Sequence, residues 1–117
     1  FYETGITMIT VVNREYCKKL IIALPGQSHP EQYHKKKEET FVILHGEVAL
    51  YLDGTKRTLN KGDVITIEAG VKHYFETLTG CVIEEVSSTH FKDDSYYTDL
   101  VIANNHNRKT FIPHWIA

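Results

Sequence analysis

A chain of 117 residues, 42% of them hydrophobic and 24% charged, has the size and make-up of one globular domain, which excludes disorder, collagen-like repeats and a membrane-spanning class. Its formal charge of −2, from 13 basic and 15 acidic residues, offers no field that would gather nucleic acid or acidic lipid. Cys17 and Cys81 are too few and too far apart for a disulfide framework or a thiolate metal site, and read as buried free thiols of a reducing, cytoplasmic compartment.

In chain order, β-branched and aromatic stretches at 6–12, 19–24, 40–44, 48–52, 63–67, 73–77 and 82–86 read as strands. Gly46, Gly54, Gly62, Gly70 and Gly80 punctuate them at the short spacing typical of an antiparallel sandwich or barrel. Asp53-Gly54 is the sharpest local signal: a type I′ turn needs positive φ at both central residues, so residues 48–52 should pair with 55–60. Residues 91–100 read either as a helix or as an irregular connection, and the polar turn at 104–107 precedes an aromatic end, 111–115, expected to pack back as a strand or clasp. The expectation is a nearly all-β domain. No basic and apolar leader opens the chain, and its start at Phe1 fits either a trimmed protein or a piece of a longer one.

Chemistry concentrates around four residues. Gln32 and His34 are two apart, so on a strand they leave from one face. Glu39 follows the lysine run 35–37 at the start of the next strand, and His73 opens another. Inward side chains from neighbouring strands, ~4.8 Å apart, can meet on one ion. Such mixed nitrogen and oxygen donors suit Zn²⁺, Mn²⁺ or Fe²⁺ better than Cu(I). The plainer alternatives are that each histidine is an ordinary core or surface residue, that Glu39 forms a solvated pair with Lys37, and that 35–38 is an exposed turn.

Gly26, Gln32, His34, Glu39 and Gly46 resemble the first cupin motif, with glutamine at the place of its first histidine. Gly62, Gly70 and His73 resemble the second, with Glu68 at the proline position and Thr77 at the closing asparagine. The resemblance implies a cupin-type jelly-roll β-barrel: one domain over 1–117, motifs at 26–46 and 62–77, and a C-terminal extension at 88–117. It also implies one divalent metal ion held by Gln32, His34, Glu39 and His73. Gln32-Tyr33-His34 with Glu39 is similar to the metal-binding stretch of mannose-6-phosphate isomerases. Pro25-Gly26-Gln27, Lys37-x-Glu39-Thr40-Phe41 and Glu85-Val86-Ser87 resemble small D-lyxose isomerase-like cupins, and a similar module occurs fused to sialic-acid-type synthases.

The activity this implies is aldose–ketose isomerisation of a sugar through an enediolate. Alternation sends Glu84 and Glu85 to opposite faces, and Glu85 is the expected base. Lys37 occupies the place of a lysine in the lyxose isomerase-like sequences that would steady the oxyanion, although a solvated turn lysine is equally compatible. Phe75 is read as pocket wall, Tyr33 as packing and His45 as a turn residue, while His90, Asp93 and Asp94 lie in a connection that could cover the barrel mouth. The alternatives are a non-catalytic carbohydrate-sensing or regulatory module, within a sugar-acid synthase for example, and an empty dimerisation barrel. Cupins often pair, so a homodimer is expected, with 6–12 as the edge strand to watch.

Overall fold

The computed structural model describes residues 2–99 and 110–111. After a 3₁₀ turn at Tyr2–Thr4 come β1 (Thr7–Asn13), β2 (Tyr16–Ala23), β3 (Ser28–Tyr33), β4 (Glu39–Leu52), β5 (Thr55–Asn60), β6 (Val64–Ile67), β7 (His73–Glu76), β8 (Cys81–Ser88), β9 (Tyr96–Tyr97) and β10 (Thr110–Phe111). They curl into a jelly-roll half-barrel with two sheet faces, ordered β10-β1-β2-β8-β4-β6 and β5-β4-β7-β3-β9. All pairings are antiparallel except β1 with β10, which joins Thr7 to Thr110 and Met8 to Phe111. That pairing sets part of the expected C-terminal clasp on the β1 edge; the rest of 111–115 lies outside the described residues. Among the described residues no helix is long and apolar enough to cross a membrane.

β4 belongs to both faces. Its first half pairs with β6 and β8 and its second with β5 and β7, with a register shift between Ile43 and His45. From sequence, 40–44 and 48–52 are two strands parted at Gly46. The structure instead runs β4 through as a bulge, with Gly46 at φ 80, where an added Cβ would overlap the Gly80 carbonyl oxygen. The bulge also reverses parity: Glu39, Phe41 and Ile43 face inward before it, Val48 and Leu50 after it, and His45 is left exposed. The Asp53-Gly54 turn is as expected, with φ of 46 and 84 and Leu52 paired to Thr55.

Cross-strand register grades the barrel interior from apolar to polar. Ile21, Ile83 and Ile43 form one inward rung; Lys19, Glu85 and Phe41 the next; Cys17, Ser87 and Glu39 the last. On the other face, Phe75 lies between Leu50 and His29, while His73 lies between Leu52 and Gln32. The apolar core, including Ile6, Met8, Val48 and Leu59, thus fills one end, and ionisable groups gather at the other. Both thiols are buried and free, as expected. Residues 91–95 form a turn leading into β9, which settles the open reading of that stretch in favour of an irregular connection as far as it is described.

Candidate metal centre

Three local devices bring the donors together. Gln32 faces His73 directly across the β3–β7 ladder. His34 lies one residue beyond β3, but the alternation continues: Gln32 and His34 are both buried, and Tyr33 between them is half-buried, stacked on Tyr96 at 5.2 Å. The His34 carbonyl accepts the Gly70 N–H at 2.6 Å, tying the end of β3 to the turn before β7. The lysine run is then drawn round by Asp94, whose carboxylate accepts the backbone N–H groups of Lys35, Lys36 and Lys37 at 3.0 to 3.2 Å. Three successive amides around one carboxylate make a nest, and it returns the chain to Glu39 at the start of β4.

One donor atom from each of His34, Glu39 and His73 lies within 4.8 Å of the other two, and all three residues are buried. His73 Nε2 is 2.8 Å and His34 Nε2 3.5 Å from Glu39 Oε1. Both of those nitrogens, both Glu39 oxygens and Gln32 Oε1 are buried without a partner in hydrogen-bond geometry among the described residues. The other ring nitrogens explain why. His34 Nδ1 meets the Asp94 carbonyl at 2.9 Å and His73 Nδ1 the Val71 carbonyl at 2.9 Å. A carbonyl only accepts, so each Nδ1 carries a hydrogen; Nε2 then faces Glu39 either as the lone pair of a neutral ring or, with no cation at hand, as the N–H of a protonated one, the form in which the two histidines lower the Glu39 carboxyl. The His34 and His73 nitrogens and the Glu39 carboxylate lie together, with Gln32 opposite His73 on the ladder, and lone pairs buried side by side repel one another unless a proton or metal cation stands among them. Imidazole and carboxylate donors oriented by backbone carbonyls fit a divalent cation.

Beside this cluster is a second network. Lys37, buried, places Nζ 3.3 Å from Glu85 Oε2, 3.6 Å from Glu39 Oε2 and 3.1 Å from His90 Nδ1. His90 is itself fixed by paired backbone bonds to the Asn13 amide, both at 2.9 Å. Burial opposes the charge on Lys37, but Glu85 and Glu39 outweigh it and raise its pKa. Burial and the Glu39 charge raise the Glu85 carboxyl, against the pull of Lys37 and Lys19. Burial likewise opposes ionisation of Glu39, yet His34, His73 and Lys37 hold it well below the ordinary carboxylate range. Lys19, facing Glu85 from β2, is buried and has its pKa lowered by desolvation.

All six site residues named from sequence, Gln32, His34, Lys37, Glu39, His73 and Glu85, are buried in the barrel interior. Glu84 points outward and pairs with Lys18 at 3.0 Å. Lys37 and Glu39 are not a solvated pair, and 35–38 is not simply an exposed turn, since Lys37 turns inward. Phe75 is buried in the apolar core, where it stacks on His29 at 5.6 Å and sits edge-on to Phe41 at 6.3 Å. In the connection after β8, Asp94 is fully buried while Asp93 is exposed.

Two residues of this site, Lys19 and His29, go unread from sequence, and Asp94 is read there only as part of a connection that could cover the barrel mouth. Lys19 carried a legible signal, because it shares parity with Ile21 and Ala23 on β2. His29 did not: the ladder slips between His29 and Gln32, at Pro30 and Glu31, so counting by twos back from Gln32 turns His29 outward. The nest made by Asp94 joins positions 57 to 59 residues apart and has no local signature.

A cupin-domain family profile matches residues 19–83. The D-lyxose/D-mannose isomerase of Thermosediminibacter oceani is 30% identical over a match covering 83% of this chain and 70% of that protein. A D-lyxose ketol-isomerase from a Thermofilum species is also 30% identical, with 84% of this chain and 71% of that protein covered. Among solved structures, the L-ribose isomerase of Cellulomonas parahominis with L-ribose superposes at a TM-score of 0.82 with 13% identity, covering 92% of this chain and 75% of that one. KdgF from a Halomonas species superposes at 0.71 with 19% identity, covering 76% of this chain and 83% of that one. With both motifs folded into one jelly roll and sequence relatives that are D-lyxose isomerases, the chain belongs to the cupin family.

Proposed function

We propose that the protein is a metal-dependent aldose–ketose isomerase acting on a sugar. The observation that carries this reading is the juxtaposition of a buried donor set lacking hydrogen-bond partners with the Lys37–Glu85 pair. The D-lyxose isomerase relatives support it. Gln32, His34, Glu39 and His73 would hold a divalent ion, Zn²⁺, Mn²⁺ or Fe²⁺ by donor type. Once bound, that ion supplies Lewis acidity toward the sugar carbonyl and its neighbouring hydroxyl.

The protein's own groups move the proton. Glu85, with its proton affinity raised by burial, takes the proton from the carbon beside the carbonyl and returns it to the former carbonyl carbon, while the hydroxyl proton of the first carbon passes to the former carbonyl oxygen, so that aldose and ketose differ by no atoms. Lys37 fixes the Glu85 carboxylate through Nζ and sets a positive charge against the enediolate oxygen, where charge exists only in the transition state and intermediate. Phe41, paired with Glu85 across β4 and β8, and Phe75, edge-on to it at 6.3 Å, are both buried and would keep water from that carboxylate. The exposed Leu44, Val64 and Val86 on β4, β6 and β8 support a homodimer, and the two buried thiols support a reducing, cytoplasmic setting.

Metal-loaded protein incubated with a panel of aldopentoses and aldohexoses, free and phosphorylated, should form the matching ketose. Glu85→Gln should cut turnover by about 10²–10⁴-fold while metal affinity stays unchanged. Sugar binding without turnover at full metal occupancy would make the domain a carbohydrate-binding module instead.

A further inference from the structure

Gln32 has a problem that a histidine or glutamate ligand does not. Its amide is nearly the same shape either way round, so packing alone does not choose which end faces a cation. The oxygen offers a lone pair; the nitrogen offers hydrogens and repels positive charge. Something with hydrogen-bonding polarity has to make that choice.

His29 has that polarity. Its ring is buried and held between Phe75, at 5.6 Å, and Tyr97, at 6.1 Å. His29 Nδ1 lies 2.8 Å from the Pro30 carbonyl oxygen, which only accepts, so Nδ1 carries the hydrogen. Nε2 of the neutral ring is then a lone pair, and the Gln32 atom 3.3 Å from it is Nε2, which donates. The amide oxygen is thereby turned the other way, buried and without a hydrogen-bond partner, on the face Gln32 shares with His34 and His73. The reversed amide would aim its oxygen at a lone pair.

We propose that His29 is a positioning residue that fixes the Gln32 amide with its oxygen toward the cation site, through the polarity set by the Pro30 carbonyl. This rests on the cation site proposed above and adds a residue that never touches the ion. It also gives the slip at Pro30 and Glu31 a role, since the irregularity there lets His29 and Gln32 both face inward.

The test is a double-mutant cycle read as Mn²⁺ affinity, by calorimetry on the metal-stripped full chain, with thermal midpoints to establish folding. His29→Phe keeps a ring between Phe75 and Tyr97 but removes the acceptor. It should weaken Mn²⁺ binding by about 10–100-fold. A carboxylate presents an oxygen whichever way it turns, so in a Gln32→Glu background the same change should cost less than about threefold. His29→Leu gives the same comparison if the aromatic substitution impairs folding. Equal losses in the two backgrounds, or no loss with Gln32 present, would overturn the proposal. A wild-type chain that binds no Mn²⁺ overturns the cation site itself, and this inference with it.

Discussion

Lys19 shows how much free energy a single side chain can set against function. Its ammonium is buried in the polar end of the barrel, has no ion pair within 4.0 Å among the described residues, and has its pKa lowered by desolvation, with Glu85 pulling the other way. Replacing such a charge with an apolar group of similar volume is often neutral or stabilising by about 1–4 kcal/mol. Lys19→Met should therefore raise the thermal midpoint of the metal-free protein while lowering sugar turnover, a trade of stability against activity. A lowered midpoint would mean instead that the amine stabilises Glu85 more than its burial costs. At this scale the sequence is legible wherever alternation holds: Gln32 with His34, Glu85 against Glu84, and in principle Lys19 with Ile21. It is not legible at His29, where the ladder slips, nor at His45, where the β4 bulge flips parity.

At the scale of elements, the strands with clean alternation and glycine boundaries were readable, and those that carry the site were less so. β3 reads Ser-His-Pro-Glu-Gln-Tyr, polar and interrupted by proline, which is the composition of a loop. It is a strand because its inward positions serve the site rather than the apolar core. The β8–β9 connection is less legible still, yet Asp94 within it shapes the lysine turn and its carbonyl orients His34. Asp94→Ala would leave three backbone amides short of their acceptor, at about 1–3 kcal/mol each where they are buried. Urea unfolding should show a loss of about 1–3 kcal/mol, set mainly by the buried Lys37 amide, with Asp94→Asn milder because one oxygen remains. Turnover should fall with both, since Lys37 loses its anchored backbone. Unchanged stability in Asp94→Ala would show that the turn holds its shape without the nest.

For the whole molecule, the donors come from both faces of the barrel. Gln32 and His34, on and just after β3, and His73 on β7 belong to one face; Glu39 stands on the half of β4 that belongs to the other. The apolar core fills the opposite end, so the faces are held together there by hydrophobic burial, while the site end holds mutually repelling lone pairs and buried charges. A cation at that end would bridge the faces where apolar packing does least. By mass action, metal at 100 times its dissociation constant should add about 2.7 kcal/mol to the folded state. For a domain of this size that is a rise of roughly 10 °C in thermal midpoint. A chelator should reverse it, and Glu39→Gln should largely abolish it. Hydrogen exchange should slow on metal binding in β3, β7 and the first half of β4, and change little in β5, a surface strand paired to β4 alone among the described residues. Slowing confined to one face, or no thermal shift at saturating metal, would mean that the four side chains do not share an ion, and the isomerase reading would lose its foundation.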